Sequence, residues 1–204
     1  MSPGDSTIHD QAGSEFLNSF VPGYGAKLAA SLQMEFIRSS QVPPAIQEII
    51  DRLDKLAFAE EDTEGYQNEW AASDWMVLGR VNGEIVTQLC ILKREIRVGT
   101  AQIPVGGVGG VATFPAWQRR GLSTALMGAA TQFMQVELNV PFGLLVCGDE
   151  TQPFYTRLGW KMVATKLWCI EKGMLHPLQT TVMVLPFSRQ EWPQGAIDLC
   201  GLPW

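Results

Sequence analysis

Histidine is almost missing from this chain: His9 and His176 are the only two in 204 residues. Neither sits near a second cluster of ligand-type side chains, which argues against a histidine-based metal centre and against a nucleophile–histidine–acid triad. Cysteine is sparse too. Cys90, Cys147, Cys169 and Cys200 are scattered, three of them in apolar runs, with no Cys-x-x-Cys pair. They read as buried free thiols in a reducing compartment, not as a disulfide frame or a zinc site. Basic runs are lacking as well. Fifteen Lys and Arg stand against 21 Asp and Glu, a net charge of −6, so nothing supports binding along a nucleic-acid backbone. No apolar run approaches the ~18 residues of a membrane span, and the N-terminus is polar and acidic, unlike a secretory leader. The expectation is a cytoplasmic protein with no metal and no membrane partner, whose acidity suits an amine-bearing small molecule.

What the chain has in quantity is apolar residues, 46% of the total, enough for one good core and a single domain over residues 31–204. Residues 1–30 are rich in Gly, Ser, Asp and Pro without periodicity. They read as an arm, either disordered or packed on a neighbouring subunit of a homodimer. Leu32 to Arg38 suits a strand, and Ile46, Ile49, Ile50, Leu53 and Leu56 recur at helical spacing after Pro43-Pro44. Trp75–Arg80 and Glu84–Arg94 alternate around Asn82-Gly83, a strong hairpin signal. A long strand follows from about Gln102 to Thr113; Trp160–Glu171 and Thr180–Leu185 read as two later strands separated by Gly173 and Pro177. This order implies an α/β (α+β) domain with a mixed, strongly twisted sheet of about six to seven strands and flanking helices.

The chemistry concentrates in VGGVGGVATFPAWQRRGLSTALM, Val105 to Met127. It reads as a strand, a short turn, a loop and an amphipathic helix whose face is Leu122, Leu126, Ala129, Phe133 and Val136. No acidic residue stands in the first helical turn, so the free N–H groups and the positive end of the dipole make an anion site. Gly121 permits close backbone approach, and Arg119 and Arg120 add positive charge. Gly107-Val108-Gly109-Gly110-Val111-Ala112 imitates a dinucleotide fingerprint. That motif must open a helix directly, and here Val-Ala-Thr-Phe and Pro115 intervene. The glycines instead mark a bulge or a surface that a ligand approaches closely.

A second segment, FGLLVCGDETQPFYTRLGW from Phe142 to Trp160, reads as strand, polar turn, short helix and new strand. Gln118-Arg119-Arg120-Gly121-Leu122-Ser123, followed by Phe154-Tyr155-x-x-Leu158-Gly159-Trp160, resembles the GNAT superfamily of acyl-CoA-dependent N-acyltransferases. Ser123 stands where that family has Gly or Ala. The resemblance implies a fold whose two central strands splay to admit an acyl-CoA thioester, and acetyl-CoA as co-substrate. It further implies main-chain contacts to the pantetheine arm at Val111 and Thr113, pyrophosphate on Gln118, Arg119, Arg120, Gly121, Leu122 and Ser123, and Tyr155 as general acid. A phenol suits that last role, since its ordinary pKa is near 10.

Thr181 to Pro186 and a terminal Trp204 are similar to the aminoglycoside 2'-N-acetyltransferases. The likeness departs where the amine is handled. Gly109 takes the place of that subfamily's long-strand glutamate, Val146 that of a serine, and Gly148 that of an asparagine common in the wider family. A base could then come from the acidic loop Glu60, Glu61, Asp62 and Glu64, from Asp149 or Glu150, or from the Trp204 carboxyl group. Alternatively none is needed, which would favour weakly basic amines. Three functions stay open at this point: acetylation of a small amine, aminoglycoside acetylation, and acyl-CoA binding without turnover.

Overall fold

A computed structural model describes residues 31–58 and 69–204. The N-terminal arm and the acidic stretch Glu60, Glu61, Asp62 and Glu64 therefore lie outside the described residues. The elements run β1 (Gln33–Arg38), α1 (Pro44–Phe58), β2 (Trp75–Val81), β3 (Glu84–Val98), β4 (Ala101–Thr113), α2 (Leu122–Val136), β5 (Phe142–Cys147) and α3 (Gln152–Arg157). After these come β6 (Lys161–Met162), β7 (Leu167–Glu171), β8 (Met174–Leu178), β9 (Thr181–Pro186) and β10 (Ile197–Asp198).

All strands join one ten-stranded sheet in the order β6-β9-β5-β4-β3-β10-β7-β8, with β2 on β3 and β1 on β2. Every pairing is antiparallel except β4–β5 and β7–β10. The mixed α/β class stands as the sequence suggests, with more strands than the six or seven expected. The excess has a clear origin. Lys172 and Gly173 both turn left-handed (φ 50° and 76°) and fold β7 onto β8. Pro177 sits within β8 rather than breaking it, because β8 is an edge strand and needs no donor on its open side. The expected strand Trp160–Glu171 is cut in two because β6 pairs with β9, whereas β7 pairs with β8 and β10. At the first hairpin, Asn82 and Gly83 both take positive φ, as a two-residue turn matching the strand twist requires.

Helix α1 opens with Pro44, whose missing N–H falls where a helix start has no partner for it. It buries Ile50 and Leu53, with Ile50 packed on Met76, Leu78 and Ile85. Leu56, expected on that face, is exposed. Helix α2 covers the opposite face of the sheet, but its buried stripe is Leu122, Ala125, Leu126, Met127, Ala130 and Met134. Ala129 and Phe133 are half-buried and Val136 is 62% exposed. The stripe is rotated because Gly106 on β4 leaves a hollow that Met134 fills: a Cβ there would lie 2.5 Å from the sulfur.

The next residue along β4 serves the other face. A Cβ on Gly107 would overlap the Trp204 indole, which is buried and donates its Nε1–H to the Leu144 carbonyl at 3.4 Å. The C-terminal segment is held there by Arg94, which donates to the Leu202 carbonyl at 2.6 Å and stacks 5.1 Å from the Trp204 ring. The Arg97–Asp198 ion pair and the Ile170 N–H on Gly201 O (2.8 Å) hold it further back. Gly107 of the false dinucleotide motif is thus a packing residue. Gly107→Ala should destabilise the fold by about 1–3 kcal/mol through overpacking, although Ala is the easier residue to order. Urea unfolding of Gly107→Ala, Trp204→Phe and the double variant checks this. The smaller ring should recover part of the loss, and strictly additive effects would show that the two residues do not meet.

Candidate functional site

Strands β4 and β5 pair only at Val105–Gly107 with Phe142–Leu144. Beyond that point β4 continues to Thr113 and β5 to Cys147 with no ladder between them. The parting is reinforced on the β3 side. Cys90 pairs with Gly109 and Gln88 with Ala112, so Gly110 and Val111 together oppose the single residue Leu89. This is a bulge, with Gly110 in the left-handed region at φ 57°, a conformation that glycine adopts without strain. It bends β4 away from β5 and frees main-chain polar groups at Val111, which is half-buried.

Past β4 a 3-10 turn, Pro115–Trp117, leads into the loop Gln118–Gly121. Arg119 and Gly121 both have positive φ, 61° and 78°. Left-handed turns of this kind gather successive N–H groups into an anion-binding concavity. Helix α2 then starts with no side-chain cap and no acid in its first turn. Its first intrahelical bond is Ala125 N–H to Gly121 O at 3.0 Å, so the N–H groups of Leu122, Ser123 and Thr124 have no helical partner. Arg119 and Arg120 are exposed, and Arg120 lies 5.0 Å over the Trp117 ring.

Two predicted ligands brace this loop. Gln118 donates its side-chain N–H to Thr113 O at 3.1 Å. Ser123, the family departure, joins a hydroxyl chain: Thr87 bonds Ala112 O (2.9 Å) and Thr113 Oγ1 (2.7 Å), and Thr113 bonds Ser123 Oγ (2.7 Å). With the Thr87 proton on the carbonyl, Thr113 must donate to Thr87 and Ser123 to Thr113. A hydroxyl at 123 therefore ties the helix start to β3 and β4, which Gly or Ala could not do.

Tyr155, on α3, is 9% exposed and shares its core cluster with Val108, Leu145 and Trp160, with Val111 and Cys147 packed alongside. That puts it at the open end of the fork. Its ring meets Phe154 and Trp160 edge-on at 5.0 and 6.5 Å. Its hydroxyl has no hydrogen-bond partner among the described residues. Burial, with the Cys147 thiol next to it, pushes its pKa well above the ordinary phenol range. The group stays protonated at any working pH.

The cysteines are all free, but Cys200 is exposed and Cys147 only half-buried, so the expectation of buried thiols holds for Cys169 and for the thiol of Cys90. Asp149 and Glu150 are exposed, with Asp149 accepting from Thr181 Oγ1 at 2.8 Å. The tryptophans do not assemble into one aromatic pocket: Trp70 is exposed, Trp75 stacks with Arg38 and Phe133, and Trp192 meets Phe142. Of these four, Trp204 alone packs on the β4 glycines. Its main-chain carboxyl carbon lies 3.0 Å from where a Cβ on Gly109 would stand, so a glutamate at 109 has no room unless Trp204 moves. Among the described residues no cluster of His, Cys, Asp or Glu could hold a metal, and no helix is long and apolar enough to cross a membrane.

Sequence reading missed one group, on the α1 face. Asp54 accepts a hydrogen bond from Gln88 Nε2 at 2.6 Å, and Cys90 lies two residues along β3 against the main chain of Gly109. Asp54 stands four residues after buried Ile50 and next to buried Leu53, the one sequence signal that its side chain borders the core. Burial lifts its carboxyl from the ordinary 3.8 to about 6; the Gln88 bond lowers it, and Asp51 raises it. The Cys90 thiol is pushed up to about 11, mainly by burial.

The family model for an acetyltransferase (GNAT) domain matches residues 43–163, more than half of the chain. No curated protein sequence matches significantly. Among solved structures, Escherichia coli ElaA is similar at 18% identity and TM-score 0.55, over 75% of this chain and 98% of that one. A GNAT family acetyltransferase from Brucella melitensis, in complex with acetyl-CoA, aligns at 16% identity and TM-score 0.54, covering 81% and 94%. Escherichia coli YhbS, in complex with CoA, aligns at 14% identity and TM-score 0.54, covering 84% and 96%.

The Asp54 environment has a signed consequence for stability. A carboxyl whose pKa is higher folded than unfolded contributes stability that is complete below about pH 4 and lost as pH rises through about 6. Gln88, Cys90 and Asp51 are the polar and titratable groups acting on it. Asp54→Asn, which keeps an oxygen for Gln88, should therefore match or exceed wild-type stability at pH 7–8. The difference should shrink toward pH 4. Melting temperatures across pH 4–8 check this; a variant less stable at pH 8 would mean that the ionised pair is net stabilising.

Proposed function

Because the chain belongs to the GNAT acetyltransferase family, we propose that it transfers an acetyl group from acetyl-CoA to the amine of a small molecule by direct attack within a ternary complex. The observation that carries the reading is the uncapped start of α2 at the end of a strand that parts from its parallel neighbour. Arg119, Arg120, Gly121, Leu122 and Ser123 would take the pyrophosphate, with Gln118 and Ser123 holding the loop in shape. Val111 and Thr113 would line the pantetheine arm. The Thr113 carbonyl is already engaged by Gln118, so at that end Val111 is the freer partner and its N–H the better candidate to polarise the thioester carbonyl. The acetyl-CoA and CoA bound by two structural neighbours support the choice of co-substrate.

In this scheme the amine nitrogen forms a bond to the acyl carbon, the C–S bond breaks, and the departing thiolate takes a proton from Tyr155. A buried phenol is a weak acid, yet the same poor solvation raises the basicity of a thiolate beside it, so the two remain matched. Aminoglycoside acetylation is a second reading, favoured by the Thr181–Pro186 and Trp204 tail and weakened by Gly109, where Trp204 leaves no room for a glutamate. A cytoplasmic setting fits the four free thiols.

Thiol release from acetyl-CoA across an amine panel that includes kanamycin is the direct test. Turnover is expected; a melting temperature raised by CoA with no turnover of any amine would favour a binding protein. Gly121→Glu should abolish the CoA shift by placing bulk and negative charge at the anion site, on a backbone at φ 78° that also disfavours a side chain. Tyr155→Phe should keep acetyl-CoA affinity and lower kcat by roughly 10²–10⁴ with every acceptor. A rate within about twofold of wild type would remove Tyr155 from the reaction.

A further inference from the structure

We infer that Asp54, Gln88 and Cys90 form the pocket that receives the acceptor's amino group, and that it takes a cationic primary alkylamine, with the Asp54 carboxylate as its proton acceptor. This rests on the acetyl-transfer reading above.

Gln88 is 1% exposed. One N–H of its NH₂ is donated to Asp54, and its Oε1 is buried with no partner among the described residues. A buried carbonyl without a donor loses its hydration and gains nothing in return, so it is a place for a ligand that brings N–H groups. Beside it stand the acceptor oxygens of Asp54, itself only half-buried and so open to an incoming molecule, and the weakly accepting sulfur of Cys90. The Gln88 carbonyl oxygen and the Asp54 carboxylate are two strong acceptors, and they complement the N–H bonds of a primary ammonium group.

The location suits the chemistry. Gln88 pairs with Ala112 and Cys90 with Gly109, so the pocket brackets the β4 bulge at Gly110–Val111. Thr87, which anchors the hydroxyl chain to Ser123, precedes Gln88 and so faces the other side of the sheet. An acyl-CoA seated on the anion loop and an amine seated on Asp54 would approach the bulge from opposite faces. The carboxylate absent from β4 at Gly109 is thus supplied from α1. Asp54 takes one proton from the bound ammonium and passes it to solvent. The neutral amine attacks, the C–N bond forms and the C–S bond breaks. The nitrogen then sheds its second proton to Asp54, and the thiolate gains one from Tyr155. Both groups exchange back with solvent, giving amide, free thiol and one released proton.

The test uses propylamine, 1,4-diaminobutane and spermidine as cationic probes and aniline as a neutral one. Added to the CoA-bound protein, the alkylamines should raise the melting temperature further, and Asp54→Asn should abolish this increment while leaving the shift by CoA itself intact. With acetyl-CoA, the same variant should lose about 10² or more in kcat/KM for alkylamines and at least about tenfold less than that with aniline, which arrives neutral and gives up one proton instead of two. Gln88→Met should weaken alkylamine binding in the same assays and replaces Asp54→Asn if that variant does not fold. Alkylamine turnover by folded Asp54→Asn within about twofold of wild type overturns the pocket and leaves acetyl transfer standing. An Asp54-dependent alkylamine shift without thiol release supports the pocket and defeats acetyl transfer. No alkylamine effect of either kind on the wild type overturns the pocket.

Discussion

The rest of the site depends on β4 and β5 ceasing to pair after Gly107 and Leu144. A parallel ladder normally continues as long as both strands last, because each unpaired main-chain group left in the interior is a loss. Here three features offset that loss. The bulge at Gly110–Val111 bends β4, the Trp204 indole reaches the Leu144 carbonyl at the point of divergence, and Tyr155 and Val108 pack on the far side. The opening is thereby built into a well-packed core, and is not a loop that happens to lie apart.

Glycine is what lets both faces of β4 close up around that opening. Gly106 admits Met134 from α2 and Gly107 admits Trp204 from the C-terminal segment, each by giving up a side chain. The run that imitates a nucleotide-binding fingerprint therefore has a different cause. Its glycines make room for Trp204 at Gly107 and Gly109 and form one left-handed bulge at Gly110, and the phosphate-type site lies about a dozen residues further on, at Gly121.

Local chemistry was legible and long-range chemistry was not. Asn82-Gly83 announces its hairpin, and Gln118 to Ser123 announces an anion loop, because in both the backbone demand is met by neighbours in sequence. The period of α2 points its face toward Val136, which is exposed, since the period alone does not tell which hollow in the sheet the helix meets. The β7–β8 hairpin was hidden by Pro177, whose tolerance depends on β8 being an edge. Asp54 and Gln88 are 34 residues apart, and nothing at either position signals the other until α1 lies across β3. The role of the Ser123 hydroxyl likewise depends on Thr113 and Thr87, which only the fold brings beside it.

The central claim is that the fork between β4 and β5, with the loop at its far end, receives acyl-CoA along one continuous path. A crystal structure with acetyl-CoA bound tests it most directly. The account predicts pyrophosphate oxygens on the N–H groups of Gly121 to Ser123, pantetheine between the diverging strands, and the thioester carbonyl within hydrogen-bonding reach of the Val111 main chain. Acetyl-CoA bound elsewhere on the surface, with β4 and β5 unoccupied between Val108 and Thr113, would contradict it.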